Sequence, residues 1–259
     1  LDPTYGEYAH ILETVLSKEV RRVLQKPEDE FKINIDDIVR ESSGSEMVTL
    51  VNPNSPTGQY LTKQEVQRLL AQLPEETTMF IDETYIDYLG KEESVETLVP
   101  NYPNLVVLKS MSKVYALSGA RVAYLAAHKE LIDHLRPYIP PWSVGMIGQV
   151  AGVEALKSED YYKERIAETH ELRENLSQLI TSIEGVRTYP AIANFLLMDI
   201  SKTGKPAEEV CSEMAARNIY IRNPDSMSPR FNNQWIRVSV KDKVSNERIY
   251  EALKEVLLS

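Results

Sequence analysis

The chain has 259 residues, 42% of them hydrophobic and 26% charged, a balance that suits one large globular domain or two modest ones with a sizeable core. A formal net charge of -10 without any Lys/Arg-rich run argues against general nucleic-acid or anionic-membrane binding, so an anionic ligand has to be met by locally placed cations. One cysteine, Cys211, excludes a disulfide framework, His10, His128, His134 and His170 lack metal-ligand spacing, and no apolar run reaches spanning length, so a reducing cytoplasm is the expected setting.

From the N-terminus, Thr4 is placed to cap a helical stretch in which Tyr8, Ile11, Leu12 and Val15 recur at helical spacing. Residues 19–24 predict a short strand, and residues 31–39 lead into a helix beginning near Asp36. Residues 47–51 predict a strand that ends at the turn-rich Asn52-Pro53-Asn54-Ser55-Pro56-Thr57-Gly58. Thr62 and Glu65 form a capping box opening a helix to about Leu73. A strand at 77–81 ends at Asp82-Glu83-Thr84-Tyr85, one at 105–108 ends at Ser110-Met111-Ser112-Lys113, and another spans 122–126. Strands alternating with helices predict an α/β fold: three layers, a mostly parallel sheet with helices on both faces. Pro137, Pro140 and Pro141 interrupt any helix, and a new one begins at Trp142-Ser143-Val144. Helical spacing then runs from 144 to 183, broken at most near Ser158, as a bridge between lobes. Residues 185–189, 194–200, 219–222 and 235–240 alternate with helices at 206–217 and 245–258, a smaller α+β arrangement. The expected division is residues 1–160 and residues 161–259.

Three successive strands thus end in polar clusters. The carboxyl edge of a parallel sheet is where α/β enzymes bind their ligands. Lys113 sits just past such a strand end, and lysine is the side chain that forms Schiff bases with carbonyl compounds, pyridoxal phosphate included. Alone it would read as a solvated loop lysine, Asp82 as a strand-end cap and Arg121 as half of a surface ion pair. Arg237 is less ordinary, because it lies between Ile236 and Val238 in an apolar strand, where a charge is costly unless paired.

The order Pro3-Thr4-Tyr5, Asn52 to Gly58, Asp82 to Tyr85, Ser110 to Lys113 with Arg121 eight residues on, and Trp235-Ile236-Arg237-Val238-Ser239-Val240 resembles the class I/II, fold-type I aminotransferases. Within them it is most similar to the histidinol-phosphate aminotransferase branch. The resemblance covers nearly the whole chain and rests on five motifs in the right order. It implies pyridoxal 5'-phosphate as cofactor, with Lys113 as the Schiff-base lysine and proton carrier. Asp82 would hold the pyridine nitrogen protonated, and Tyr85 would hydrogen-bond the ring's phenolic oxygen. Ser110, Ser112 and Arg121 match the phosphate-binding positions, where the planar guanidinium suits two parallel bonds. Tyr5 falls where the family places an aromatic over the ring. On the substrate side Arg237 would take the α-carboxylate and Arg222 the substrate's phosphate end, with Asn194 a further contact. The implied reaction moves an amino group between an amino acid or amino-phosphate and a 2-oxo acid, in a homodimer, with no nucleic-acid or membrane partner.

The chain departs from that pattern in two places. The family's Asn before Pro-Thr-Gly is Ser55 here, so that either the Ser55 hydroxyl or a shifted Asn54 would serve the phenolic oxygen. The resemblance also begins well inside the family pattern, and a longer parent supplying a glycine-containing phosphate loop at a helix N-terminus is expected. Two alternatives follow: a decarboxylase resembling threonine-phosphate decarboxylase, of which Pro141-Trp142-Ser143-Val144 is reminiscent, and a truncated non-catalytic remnant.

Overall fold

The computed structural model describes residues 1–259. Helix α1 (Gly6–Ala9) runs into a π-helical turn at His10–Val15. Thr4 is not its cap: Tyr5 occupies that position without a side-chain bond, and the Thr4 hydroxyl donates to Asn54 Oδ1 at 2.6 Å instead. Residues 19–24 form no strand: the pairing there is a single isolated parallel bridge between Leu24 and Asp2. Helix α2 (Ile35–Ser42) begins where expected, with Asn34 accepting from Asp36 N at 3.0 Å and Ile35 and Ile38 buried. Strand β1 (Met47–Val51) is followed by α3 (Lys63–Leu70), whose capping box is complete, Thr62 N donating to Glu65 Oε2 at 2.8 Å. Then come β2 (Thr78–Asp82), β3 (Leu105–Ser110), β4 (Ala123–Ala127) and α4 (Lys129–Leu135), a helix the apolar spacing did not announce. The long helical run divides at Ser158 into α5 (Met146–Lys157) and α6 (Glu159–Thr181). Strands β5 (Arg187–Thr188) and β6 (Phe195–Asp199), helix α7 (Ala207–Ala216), strand β7 (Trp235–Ser239) and helix α8 (Lys243–Leu258) complete the chain. No helix is long and apolar enough to cross a membrane.

The chain forms two compact units. One comprises residues 33–53 and 60–166. Its four strands run in the order β1-β2-β3-β4, the first three parallel and β4 antiparallel to β3. This is the expected α/β, mostly parallel arrangement. Leu50, Val51, Met79, Ile81, Leu105, Val106 and Val107 are all buried, which explains why these strands are continuous apolar runs in the sequence. Val51 pairs with Asp82, and Asp82 with Leu108. The chain therefore leaves all three parallel strands at one edge of the sheet. Strand β4 is at the sheet's end, and its Tyr124 and Leu125 are exposed, as are Met146, Ile147 and Val150 on α5.

The other unit comprises residues 1–32, 54–59 and 167–259. Its sheet is antiparallel, in the order β5-β6-β7. Side chains alternate across it. Leu196, Met198, Ile236 and Val238 face Leu176 and Ile180 of α6, Val210 and Met214 of α7 and Leu253 and Val256 of α8. Leu197 and Trp235 join Phe31, Tyr189, Met227 and Phe231 in a second, largely aromatic cluster. The expected boundary after residue 160 is therefore corrected in two ways. The division falls within α6, between Ile166 and Ala167, and the N-terminal 32 residues belong with the C-terminal ones. The reason is long-range packing: the Phe31 and Trp235 rings lie 5.5 Å apart, and Arg230 Nη1 donates to the carbonyls of Asp2 and Gln25 at 3.2 and 3.0 Å.

Candidate active site

In the α/β unit the polar clusters start at the ends of β2 and β3. Asp82 is 6% exposed. Its Oδ1 accepts from Thr84 N at 2.9 Å and from the Thr84 hydroxyl, closing a turn that carries the chain to Tyr85. The end-cap reading of Asp82 thus accounts for one carboxylate oxygen. Tyr85 is itself buried and precedes the single turn Ile86–Tyr88. The Tyr115 hydroxyl donates to Asp87 Oδ1 of that turn at 3.1 Å, tying the Asp82 turn to the lysine loop. Burial and the Asp87 carboxylate push the Tyr115 hydroxyl above the usual tyrosine range, so it remains a neutral donor.

The lysine loop hangs on a few apolar anchors. Met111, Tyr115 and Ala155 form a small buried cluster with Val114, Leu117, Val122 and Tyr162 against it. Met111 N donates to Val122 O at 3.1 Å and Leu117 N to Met111 O at 3.0 Å, so the loop returns to its own start. Between these anchors the polar side chains turn outward. The Ser110 and Ser112 hydroxyls lie 2.8 Å apart, and Lys113 and Arg121 are exposed. Arg121 adopts a left-handed backbone at φ 54°, with Nη1 donating to Ser118 O at 3.0 Å.

The other unit carries the remaining sequence-predicted residues. Asn54 is 0% exposed and Ser55 3%. Asn54 Nδ2 faces three acceptors, Pro3 O at 2.9 Å, Thr57 Oγ1 at 2.9 Å and Gln25 Oε1 at 3.1 Å. Three acceptors thus share two amide protons, two of them from outside the loop, and service to a cofactor would need one of these contacts to open. Ser55 Oγ accepts from Arg237 Nη1 at 2.9 Å, and the Arg237 guanidinium lies 5.0 Å over the Phe195 ring. These two contacts are among those that hold the charge in the apolar β7. Arg222 lies directly opposite Arg237 in an antiparallel bridge, the two exchanging backbone hydrogen bonds of 3.0 and 2.8 Å, with Arg222 Nη2 donating to Ser226 Oγ at 3.2 Å. Tyr5 is 40% exposed and edge-on to Tyr8. Asn194 precedes β6, and its carbonyl accepts from Val240 N at 2.9 Å. The loop carrying Ser55 closes on the segment before Asn194: Gly58 has φ +73°, Ile192 N donates to Gly58 O at 3.3 Å, and a Cβ at 58 would fall 2.3 Å from Ala191 Cβ.

The donor set fits pyridoxal phosphate chemically. An accessible amine, two neighbouring hydroxyls and a guanidinium share one loop of the α/β unit, and a buried carboxylate and a buried phenol follow the adjacent strand. Sequence reasoning missed two buried polar residues, Gln25 and Glu83, and the half-buried Lys109. Gln25, 2% exposed, partners Asn54. Glu83 and Lys109 form an ion pair of 2.7 Å beside the strand ends. The available signal was Lys109 itself, a charge directly after the apolar run Leu105-Val106-Val107-Leu108.

Comparison with known proteins agrees with this assembly of parts. The profile of the family "Aminotransferase class I and II" matches residues 1–256. The histidinol-phosphate aminotransferase of Methanocaldococcus jannaschii is 28% identical over 256 residues, covering 98% of this chain and 67% of that protein. Histidinol-phosphate aminotransferase 2 of Carboxydothermus hydrogenoformans is 36% identical over 214 residues, 82% of this chain and 57% of that protein. The crystal structure of the histidinol-phosphate aminotransferase from Clostridium acetobutylicum superposes with a TM-score of 0.89 at 24% identity, over 98% of this chain and 76% of that one. This chain therefore spans about two thirds or less of the length of these two curated relatives. A lysine loop and an Asp-Glu-Thr-Tyr turn on one edge of a mostly parallel sheet, under a family match that runs almost end to end, place the chain in the class I and II aminotransferases, pyridoxal-phosphate-dependent transaminases of fold type I.

Proposed function

We propose that the protein transfers an amino group between an α-amino acid or amino-phosphate and a 2-oxo acid, with Lys113 as the amine that carries the pyridoxal phosphate. The observation that supports this most is the shared sheet edge from which both the Asp82 turn and the Lys113 loop depart. The bound cofactor supplies an electron sink for charge developing at the substrate's α-carbon. The chain's residues do the rest. The Asp82 carboxylate favours the protonated pyridine nitrogen, and the Tyr85 hydroxyl donates to the phenolic oxygen. Ser110, Ser112 and Arg121 bind the phosphate, and Tyr5 stacks on the ring. Lys113 would hold the cofactor through its amine and, when that amine is free, would be the base that takes a proton from the substrate's α-carbon.

Arg237 binds the substrate carboxylate, Arg222 a second anionic group, and Asn194 contacts the same substrate. Support comes from the Arg222–Arg237 bridge, which brings two guanidinium-bearing positions opposite each other, a placement suited to a ligand with two anionic groups. The Ser55 hydroxyl, already an acceptor from Arg237, retains a proton of its own to donate. The protein works as a cytoplasmic homodimer. The exposure of Trp142 (93%), Met146 (80%) and Ile147 (87%), three large apolar side chains near one another in sequence, supports a protein partner.

The test is a spectroscopic half-reaction. Intact protein loaded with pyridoxal phosphate is mixed with a panel of α-amino acids and amino-phosphates, histidinol phosphate included. Bleaching of the visible band by one donor, its return on adding 2-oxoglutarate and formation of glutamate are expected. Stoichiometric CO₂ release in place of amine transfer would establish the decarboxylase instead, and a protein with no visible band at all would be the remnant.

A further inference from the structure

Glu83 has no role in the reaction proposed above, yet its side chain is 0% exposed and every oxygen is engaged. Oε2 accepts from Lys109 Nζ at 2.7 Å and from the Ser94 hydroxyl at 2.6 Å, and Oε1 accepts from Val95 N at 2.7 Å. Lys109 Nζ also donates to Ser94 Oγ at 2.9 Å, which closes a triangle of three side chains. Lys109 is only 13% exposed, and Glu96 lies farther off at 4.0 Å, itself held by the Tyr124 hydroxyl at 3.3 Å. The strand ladder continues to this point, with Glu83 N donating to Leu108 O at 2.9 Å.

Stability alone gives little reason for this arrangement. Two charges taken out of water gain little over a well-packed apolar pair of the same volume, which is often as stable or more so. What the pair offers over an apolar one is direction. The carboxylate fixes a hydroxyl and a backbone amide of the segment Ser94–Val95, while the ammonium fixes the neighbouring strand, so the ends of β2 and β3 are held at three points. Side chains alternate along a strand, so Glu83 and Lys109 occupy the face opposite to Asp82 and Ser110, each one residue away in sequence. A shift of either strand end would therefore move Asp82 relative to Ser110 and the loop that follows it.

We infer that Glu83, clamped by Lys109 and Ser94, is a positioning residue that sets the spacing between the Asp82 carboxylate and the Ser110–Lys113 loop for the bound cofactor. The inference rests on the reading of Asp82 and Lys113 given above. The experiment uses the intact protein and three variants: Glu83→Gln, the apolar double Glu83→Leu with Lys109→Met, and Ser94→Ala. Thermal midpoint, pyridoxal-phosphate affinity by equilibrium dialysis and the pH midpoint of the visible band are measured for each. The double variant is expected to melt within a few degrees of wild type, yet to bind the cofactor more weakly on the order of tenfold, the scale seen when a partner that orients a binding group is removed. Its band midpoint is expected to move, and Ser94→Ala to move both readings the same way by less. A double variant with wild-type affinity and band midpoint overturns the inference, whatever its melting point. If the double does not fold, Ser94→Ala decides by the same readings. A wild-type protein without a visible band fails the proposed function itself, and the inference with it.

Discussion

Two loops of this chain look equally rich in chemistry, and they are built in opposite ways. The Asn52 to Gly58 loop is buried throughout, with Asn54 and Thr57 at 0% exposure and Ser55 at 3%, and its side chains are paired to one another, to backbone, or to Gln25 and Arg237. In the Ser110 to Arg121 loop the apolar Met111 and Tyr115 are buried, and Lys113 and Arg121 face outward. The first loop buries and pairs its polar groups, while the second buries apolar groups and leaves Lys113 and Arg121 exposed. Density of polar residues in a motif therefore says little about where the reaction is carried out. The partners of each group say much more.

Substitutions can press on that contrast. The largest effect is expected for Lys113→Ala, which should abolish the visible band and amine transfer, with turnover reduced by more than about a thousandfold, while leaving the melting temperature near wild type. A large loss of stability instead would show that the lysine loop also depends on its polar residues. Asn54→Ala is expected to do the reverse. It leaves buried acceptors on Pro3 and Gln25 without their donor, a cost of about 2–3 kcal/mol by denaturant titration. Cofactor affinity of the folded fraction is expected to change little.

A smaller effect comes from the one buried hydroxyl of the lysine loop. Tyr115→Phe removes the hydrogen bond to Asp87 and is expected to cost about 1 kcal/mol at neutral pH. Its sign reverses in alkali. Burial raises the Tyr115 hydroxyl above its ordinary value, so its stabilisation is complete below about pH 10 and is lost as the pH rises, because the unfolded chain ionises first. Urea midpoints taken from pH 8 to 11 are therefore expected to fall more steeply in wild type than in Tyr115→Phe. Tyr88 follows the same rule, its hydroxyl being pushed up to about 12 chiefly by burial, and Tyr88→Phe is expected to remove a further part of the slope. Parallel slopes in all three proteins would show that these tyrosines ionise as freely folded as unfolded.

The α/β half was legible because the buried parts of parallel strands are apolar, as at Leu50-Val51, at Met79 and Ile81, and at Leu105 to Val107. The capping box at Thr62 was legible because it is a purely local device. What escaped was long-range. Nothing near Thr4 in sequence reveals that its hydroxyl is taken by Asn54, fifty residues away. For the same reason residues 1–32 could not be assigned to the C-terminal unit, since Phe31 and Gln25 find their partners only in the folded chain. Helix α4 has no buried residue, so it lacks the apolar stripe that periodicity detects. The candidate site was legible in its residue types and order. The division of labour between Asn54 and Ser55 was not, because both are small, polar and adjacent, and only their partners separate them.

The fit between Gly58 and Ala191 has a consequence for what this loop can accept. Any side chain at 58 needs room that the methyl of Ala191 already fills, and even after Ala191→Gly the backbone at φ +73° would still disfavour it. A Cβ at 58 would also fall 2.7 Å from the Ala191 Cα, a backbone atom that no substitution at 191 removes, so glycine is held at 58 by the path of the main chain itself.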